Sequence, residues 1–239
     1  MALILNLETA NTVCSVSLAK NGLLLALKEQ NGDYSHSENL TLFIEDVLLQ
    51  AKCTLSEIDA VAVSMGPGSY TGLRIGVSTA KGLCYSLNKP LIAINTLQHL
   101  SLSVSENLKS NPLHLTSHIS HLTSIFCPML DARRMEVYCA IYDSSNNEIK
   151  PTTAQVIDEH SFSDLLNTNV IYFFGDGSTK CKDLLSSNKN AHFIDDVVAS
   201  AKNMISLSEK AFVNNRFEDI AYFEPFYLKD FLVGKKKRT

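Results

Sequence analysis

The chain has 239 residues, with 21 Lys and Arg against 25 Asp and Glu, for a net charge of −4. That balance excludes a protein that grips nucleic acid over its whole surface, and 45% hydrophobic against 19% charged residues excludes a largely disordered chain. The apolar runs near residues 23–27 and 170–174 fall far short of the ~18–20 residues that span a bilayer, and the opening Met-Ala-Leu-Ile-Leu-Asn-Leu lacks the basic segment of a signal peptide. The expectation is therefore a cytoplasmic protein with no membrane partner, large enough for one big domain or two compact lobes. Its six cysteines are scattered without a C-x-x-C pair, which predicts reduced, mostly buried thiols. A locally basic tail, Lys235, Lys236, Lys237 and Arg238, reads either as a solvated terminus or as a phosphate contact made within a complex.

Residues 3–7 and 13–18 are short apolar and β-branched runs separated by the polar turn Glu8-Thr9-Ala10-Asn11. Asn21-Gly22 is a hairpin signal into residues 23–28, so the first 28 residues read as a three-stranded antiparallel meander. From Ser35 or Ser37, either of which can cap a helix, Leu40, Ile44, Val47, Leu48 and Ala51 recur at helical spacing to about residue 52. Leu42, Phe43 and Leu49 fall outside that stripe. A helix apolar on more than one side is buried twice or awaits a partner.

Residues 58–64 read as a buried strand that runs into a glycine-rich loop, Gly66-Pro67-Gly68-Ser69-Tyr70-Thr71-Gly72, followed by Leu73, Arg74 and a helix over 71–87. Gly72, Gly76 and Ala80 share one face of that helix, where another helix backbone could approach closely; Arg74 and Lys81 lie on other faces. Residues 90–95 form the next strand and a helix starts near Thr96. Residues 105–124 lose all period and read as an inter-lobe connection or variable loop. Strands at 125–130, 135–142 and 148–157 follow, with a turn at 144–147, then a helix near 159–167 and a strand at 170–174. Gly175-Asp176-Gly177 leads into a helix at about 178–187, and a long amphipathic helix near 200–214 precedes Pro225-Phe226-Tyr227-Leu228. The order of strands, helix and strand thus occurs twice, which predicts an α/β protein of two lobes facing each other across a cleft. Residues 1–104 form the first, partner-binding lobe and 105–239 the second, with the helix near 200–214 placed to pack back on the first.

In the glycine loop, Gly66 and Gly68 permit backbone angles closed to other residues and Pro67 stiffens the turn between them. The amides that follow, at a helix start, suit an anion or a carbonyl. As a whole string, residues 66–83 (GPGSYTGLRIGVSTAKGL) resemble the hallmark of the TsaB (YeaZ) family. Leu5-Asn6-Leu7-Glu8-Thr9-Ala10, residues 90–96, the Asp131-Ala132-Arg133 stretch, Gly175-Asp176-Gly177 and Tyr227-Leu228-Lys229 fall in the family's order along nearly the full chain. The resemblance implies a duplicated acetate-kinase/Hsp70/actin-like (ASKHA) fold with mixed sheets flanked by helices. It implies a role in tRNA processing: transfer of a threonylcarbamoyl group to N6 of the adenosine 3′ to the anticodon in tRNAs reading codons that begin with A. It further implies a TsaD-like catalytic partner, a TsaE-like ATPase, tRNA met through the complex, and a homodimer when the chain is alone. No cofactor of its own is implied, ATP, ADP and metal being held by partner subunits or at their interface.

The departures bear on catalysis. The sister family of TsaD enzymes places an H-x-x-x-H metal pair just after the second strand; those positions here hold Thr96 and Leu100, with His99 out of phase and read as a helix-surface residue. Glu8 and Ala10 replace the usual Asp and Ser of the first loop, which moves the carboxylate away from a magnesium-positioning role. The glycoprotease-like description of the superfamily is accordingly read as inactive in this chain, and no catalytic or metal residue is assigned. His114, His118 and His121 contain H-x-x-x-H spacing, but their segment is Ser- and Thr-rich and lacks the Glu of a metalloprotease helix, so it reads as a solvated loop. Glu8, Thr9, Asp131, Arg133, Gly175 and Gly177 are cleft candidates: the Asp131–Arg134 stretch reads as a structural salt bridge or as a ligand or tRNA contact, and Gly175-Asp176-Gly177 as an adenosine loop or a helix-entry turn. Ser69 and Tyr70 have no assignable base and are not read as nucleophiles. Leu42, Phe43, Leu49, Gly72, Gly76 and Ala80 are read as the partner interface.

Overall fold

The computed structural model describes residues 2–32, 36–110 and 122–229. β1 (Leu3–Glu8), β2 (Val13–Lys20) and β3 (Leu23–Asn31) form the expected antiparallel meander. Asn21 and Gly22 take φ of +54° and +74°, which matches the twist a two-residue hairpin demands. α1 (His36–Ala51), a 3-10 turn at Leu55–Glu57, β4 (Ala60–Gly66), α2 (Tyr70–Leu87), β5 (Leu91–Asn95) and α3 (Thr96–Ser110) complete the first unit. β4 pairs parallel with β1, and β5 parallel with β4, giving the order β3-β2-β1-β4-β5.

The second unit repeats this. β6 (Thr123–Asp131), β7 (Glu136–Tyr142), β8 (Glu148–Val156), α4 (Ser163–Leu166), β9 (Asn169–Phe174), α5 (Lys182–Leu185) and β10 (Ala191–Ile194) build a sheet ordered β10-β9-β6-β7-β8. Its antiparallel and parallel pairings match those of the first sheet strand for strand. Two mixed five-stranded sheets flanked by helices make this the duplicated ASKHA architecture.

Several boundaries differ from the sequence reading. The expected helix over 159–167 shrinks to Ser163–Leu166, and that over 178–187 opens as a 3-10 turn at Thr179–Cys181 before α5. The helix near 200–214 splits into a 3-10 turn at Ala201–Met204 and α6 (Ile205–Val213). β10 was not anticipated, because four residues are too few to show a period. Most consequentially, α3 does not fray at 105 but continues to Ser110, held by Val104 and Leu108 in a core. The histidine segment 114–121, Ser35 and the tail 235–238 lie outside the described residues.

Packing explains the strand sequences. Leu3, Leu5 and Leu7 of β1 face α1 and α2, against Leu40, Phe43, Ile44, Val47 and Val77. Ile4 faces the opposite way, with Ala60, Ala62, Ile92 and Met204, beneath Leu207 and Phe212 of α6. Covered on both faces, β1 and β4 carry apolar residues in continuous runs rather than alternation. α3 follows the first sheet in sequence, yet its Leu97, Leu100, Val104 and Leu108 sit with Phe126, Leu130, Tyr142 and Phe174 of the second sheet. A division after residue 104 falls inside this helix. The far face of the second sheet buries Ile125, Met129, Ile171 and Phe173 with Cys181 and Leu185. All six cysteines are free thiols and five are buried. Among the described residues no helix is long and apolar enough to cross a membrane.

Because α3 is core to the second sheet and continuous with the first, Leu100→Ala should destabilise the whole chain by about 2–5 kcal/mol. Urea unfolding followed by circular dichroism should stay a single transition with a lowered midpoint; two separated transitions would show that the lobes unfold independently.

Candidate functional site at the carboxyl edges of the two sheets

The loop candidates converge at the carboxyl ends of the parallel strands, where ligands bind in open α/β sheets. β1 ends at Glu8, β4 at Gly66 and β5 just before Thr96. In the other sheet β6 ends at Asp131 and β9 just before Gly175.

Glu8 is fully buried, and both carboxylate oxygens are committed. Oε1 accepts from the Ala10 N–H at 2.6 Å, and Oε2 lies 2.6 Å from Nε2 of His99, itself fully buried on α3. The reading of His99 as a helix-surface residue is thus corrected: α3 packs against strands of both sheets, and His99 lies on the buried side of the helix while Gln98 and Leu102 stay partly exposed. Nδ1 of His99 has no hydrogen-bond partner. The thiol of Cys14 is pushed up to about 11 by burial and then by the Glu8 carboxylate, so it is not a thiolate nucleophile at neutral pH.

The two positions of the H-x-x-x-H pair are equally committed. Thr96 Oγ1 is 2.6 Å from Ser64 Oγ, and Leu100 is buried in the second core. A leucine offers no ligand atom and the threonine hydroxyl is engaged, so these residues do not fit a bound metal. Among the described residues no group of three His, Cys, Asp or Glu side chains is placed to hold one.

The glycine loop receives a carbonyl rather than an anion. Ser69 N–H donates to the Ala10 carbonyl at 2.6 Å, while Ser69 Oγ caps α2 by accepting from Gly72 N–H at 3.3 Å. Thr9 Oγ1 donates to the Gly72 carbonyl at 2.8 Å. A Cβ on Gly72 would collide with the Thr9 carbonyl, and one on Gly76 with Thr9 Oγ1. The stripe of Gly72, Gly76 and Ala80 therefore faces inward, with Ala80 fully buried. Its assignment as a contact face for a second chain is corrected: the close approach it permits is that of the β1–β2 loop. Phe43 is likewise a core residue, whereas Leu42 and Leu49 are 55% and 79% exposed.

The C-terminal segment then straps the cleft. Lys81 Nζ donates to the carbonyls of Ala221 and Phe223, and Phe223 enters the first core. Phe226 N–H donates to the Met65 carbonyl at 2.7 Å, and the Tyr227 ring lies 4.9 Å from that of Tyr70, over which Arg74 sits. Lys229 pairs with Glu136 of β7. Between the glycine loop, Tyr138 and this strap remains a cavity of about 30 Å³, room for a water rather than for a nucleotide. With Glu8 spent on His99 and the loop amide spent on Ala10, the residues present do not fit a bound nucleotide phosphate here.

Across the cleft, Gly175 takes φ of +98°, and a Cβ there would strike the Met129 carbonyl. The Asp131 N–H donates to Asp176 Oδ1 at 3.0 Å, and Asp131 pairs with Lys180, which also donates to the Glu136 carbonyl. Of the two readings left open for Asp131, the salt bridge is present, with Lys180. Although Asp176 is exposed, crowding of its carboxyl by the surrounding chain, then the Asp131 charge, raise its pKa above the usual carboxylate value. Sequence reasoning missed His99, Lys81, Glu136 and Lys229. The one available signal was Glu8 itself, an acid closing a mostly apolar, buried strand and so in need of a buried partner.

The sign of the Asp176 shift is testable. The fold binds this proton more tightly than the unfolded chain does, so the group costs stability as pH rises through the acid range and costs none below about 4. Asp176→Asn, which keeps the acceptor for Asp131 N–H, should raise Tm at pH 7, with the difference closing as pH falls to about 4. Thermal melts across that range check it. In the other sheet, His99→Ala leaves Glu8 Oε2 buried without a partner and should cost about 3–5 kcal/mol, read by urea denaturation.

A family model described as TsaD, tRNA N6-adenosine threonylcarbamoyltransferase, matches residues 32–238. The tRNA threonylcarbamoyladenosine biosynthesis protein TsaB of Escherichia coli K12 is 27% identical over 241 residues, covering 98% of this chain and 97% of that protein. TsaB of Haemophilus influenzae Rd is 25% identical, with 98% and 96% covered. The solved structure of YeaZ from Pseudomonas aeruginosa superposes with a TM-score of 0.76 at 22% identity, over 95% of this chain and 100% of that one, which shows the shared fold. With its glycine loop, duplicated sheets and full-length match, the chain belongs to the TsaD family and, within it, to the TsaB (YeaZ) group.

Proposed function

We propose that this chain is a non-catalytic, cytoplasmic subunit required for threonylcarbamoyl transfer to N6 of the adenosine 3′ to the anticodon in tRNAs reading A-starting codons. It acts as the partner and activator of a TsaD-like transferase, together with a TsaE-like ATPase, and meets tRNA through that complex. The observation that carries this reading is the filling of the cleft from within the chain. Glu8 is bonded to His99, Thr96 to Ser64 and Ser69 to Ala10, and the strap at 226–229 lies against the glycine loop. A site so committed supports a scaffold role, with nucleotide and metal held by the partner subunits.

What remains outward is the face of α1 and α2 opposite their core. α1 exposes Leu42 and Leu49, 55% and 79%, and α2 exposes Tyr85, 83%, one turn after Gly82, at which an added Cβ would meet open space. Exposed leucines and an aromatic around a small-residue gap fit a helical partner whose backbone must come close. The same face serves the transferase partner and, in its absence, a second copy of this chain, so the two assemblies compete.

Leu49→Arg, on a side chain already in water, should leave the fold intact and abolish both assemblies, read by size-exclusion chromatography with light scattering, alone and with the partner. In cells lacking the native gene it should fail to restore the modified nucleoside, measured by mass spectrometry of digested tRNA. Purified alone with the activated adenylate and tRNA, the wild-type chain should transfer nothing. Transfer by the isolated chain would overturn the non-catalytic reading, and wild-type assembly by Leu49→Arg would overturn the interface.

A further inference from the structure

The turn between β6 and β7 places arginine where the backbone least favours it. Arg133 and Arg134 have φ of +71° and +51°, the left-handed region that glycine and asparagine occupy at lower cost. Adjacent left-handed residues with long side chains store strain, and such strain gathers at sites where side-chain placement has a use. The turn is closed by Glu136 N–H to the Arg133 carbonyl and Ala132 N–H to the Glu136 carbonyl, both 3.1 Å, and by Arg133 N–H to Asp131 Oδ1 at 2.9 Å.

Both arginine side chains are exposed. The acids that could neutralise them are already taken: Asp131 by Lys180, Glu136 by Lys229, while Asp176 accepts the Asp131 N–H. Among the described residues neither guanidinium has an acceptor within hydrogen-bond or ion-pair reach. Two uncompensated guanidinium groups therefore stand side by side in sequence on a chain of net charge −4. Lys229, held at the foot of this turn, is followed in sequence by Lys235, Lys236, Lys237 and Arg238.

We propose that the Arg133–Arg134 turn is a phosphate-backbone contact for RNA, the tRNA of the function proposed above, on which this inference rests. A guanidinium presents a planar fork that meets phosphate oxygens bidentately. The contact carries no base readout, so it positions tRNA without selecting its sequence.

The test uses the full chain in the complex recovered from native cells, with an unmodified tRNA transcript as probe. Arg133→Ala with Arg134→Ala should weaken binding about tenfold and lower the salt slope of log K by about 1–2, the loss of two phosphate contacts. The paired lysine variant should keep most of that slope. Arg134→Gly, which relieves the left-handed strain, should show about half of the double variant's loss of slope while its Tm stays level or rises; a merely structural turn would move Tm alone. Unchanged affinity and slope in the double alanine variant would overturn the contact, as would loss of binding to vesicles of anionic lipid in place of tRNA. If deleting the gene leaves the modified nucleoside intact, the proposed function fails; if the modification needs the gene but the double variant binds tRNA normally, this contact alone fails.

Discussion

Helix α3 follows the first sheet in the chain and packs into the second, and the buried hydrogen bond between Glu8 and His99 is the junction that this arrangement creates. A carboxyl group taken out of water is tolerable only with partners for its oxygens. Once Leu97, Leu100, Val104 and Leu108 seat α3 in the second core, His99 is carried against the end of β1, where it meets that need. The bond then fixes the turn that follows Glu8. Thr9 drops into the notch of Gly72 and Gly76, and the Ala10 carbonyl reaches the Ser69 amide. The first loop, the glycine loop and α3 behave as one interlocked unit for that reason.

Polar groups also seal the other inter-lobe contacts. Ser15 and Ser200 share the Glu29 carboxylate, and Ser17 donates to the Ala201 carbonyl. Serines on a buried strand face are costly unless bonded, and these bonds tie the first sheet to the segment that leads into α6. The C-terminal strap adds further ties, to Lys81 of α2 through the carbonyls of Ala221 and Phe223 and to Glu136 of β7 through Lys229. A cleft closed by so many specific bonds opens only if several are exchanged together.

Small residues on α2 show how one pattern serves two ends. Gly72, Gly76 and Ala80 recur every four residues and face Thr9 and the core, whereas Gly82, on the other side of the same helix, faces open space. Spacing alone places residues on a common face of a helix; it does not say which face looks inward.

The sequence by itself determined every strand but β10, the two long helices after the meander, the duplication and the family. Each rests on local signals: apolar runs, the Asn21-Gly22 turn, helical recurrence from Leu40 to Ala51, and a glycine loop too specific to arise often. Only the tertiary structure decided which side of α2 is buried, that α3 joins both cores, that His99 is a buried partner rather than a surface residue, and that the cleft is strapped shut. Those outcomes depend on residues 91 positions apart for Glu8 and His99 and 93 apart for Glu136 and Lys229. Pairing over such separations leaves no period in the chain, because it is set by how the two sheets dock and not by any local run of residues.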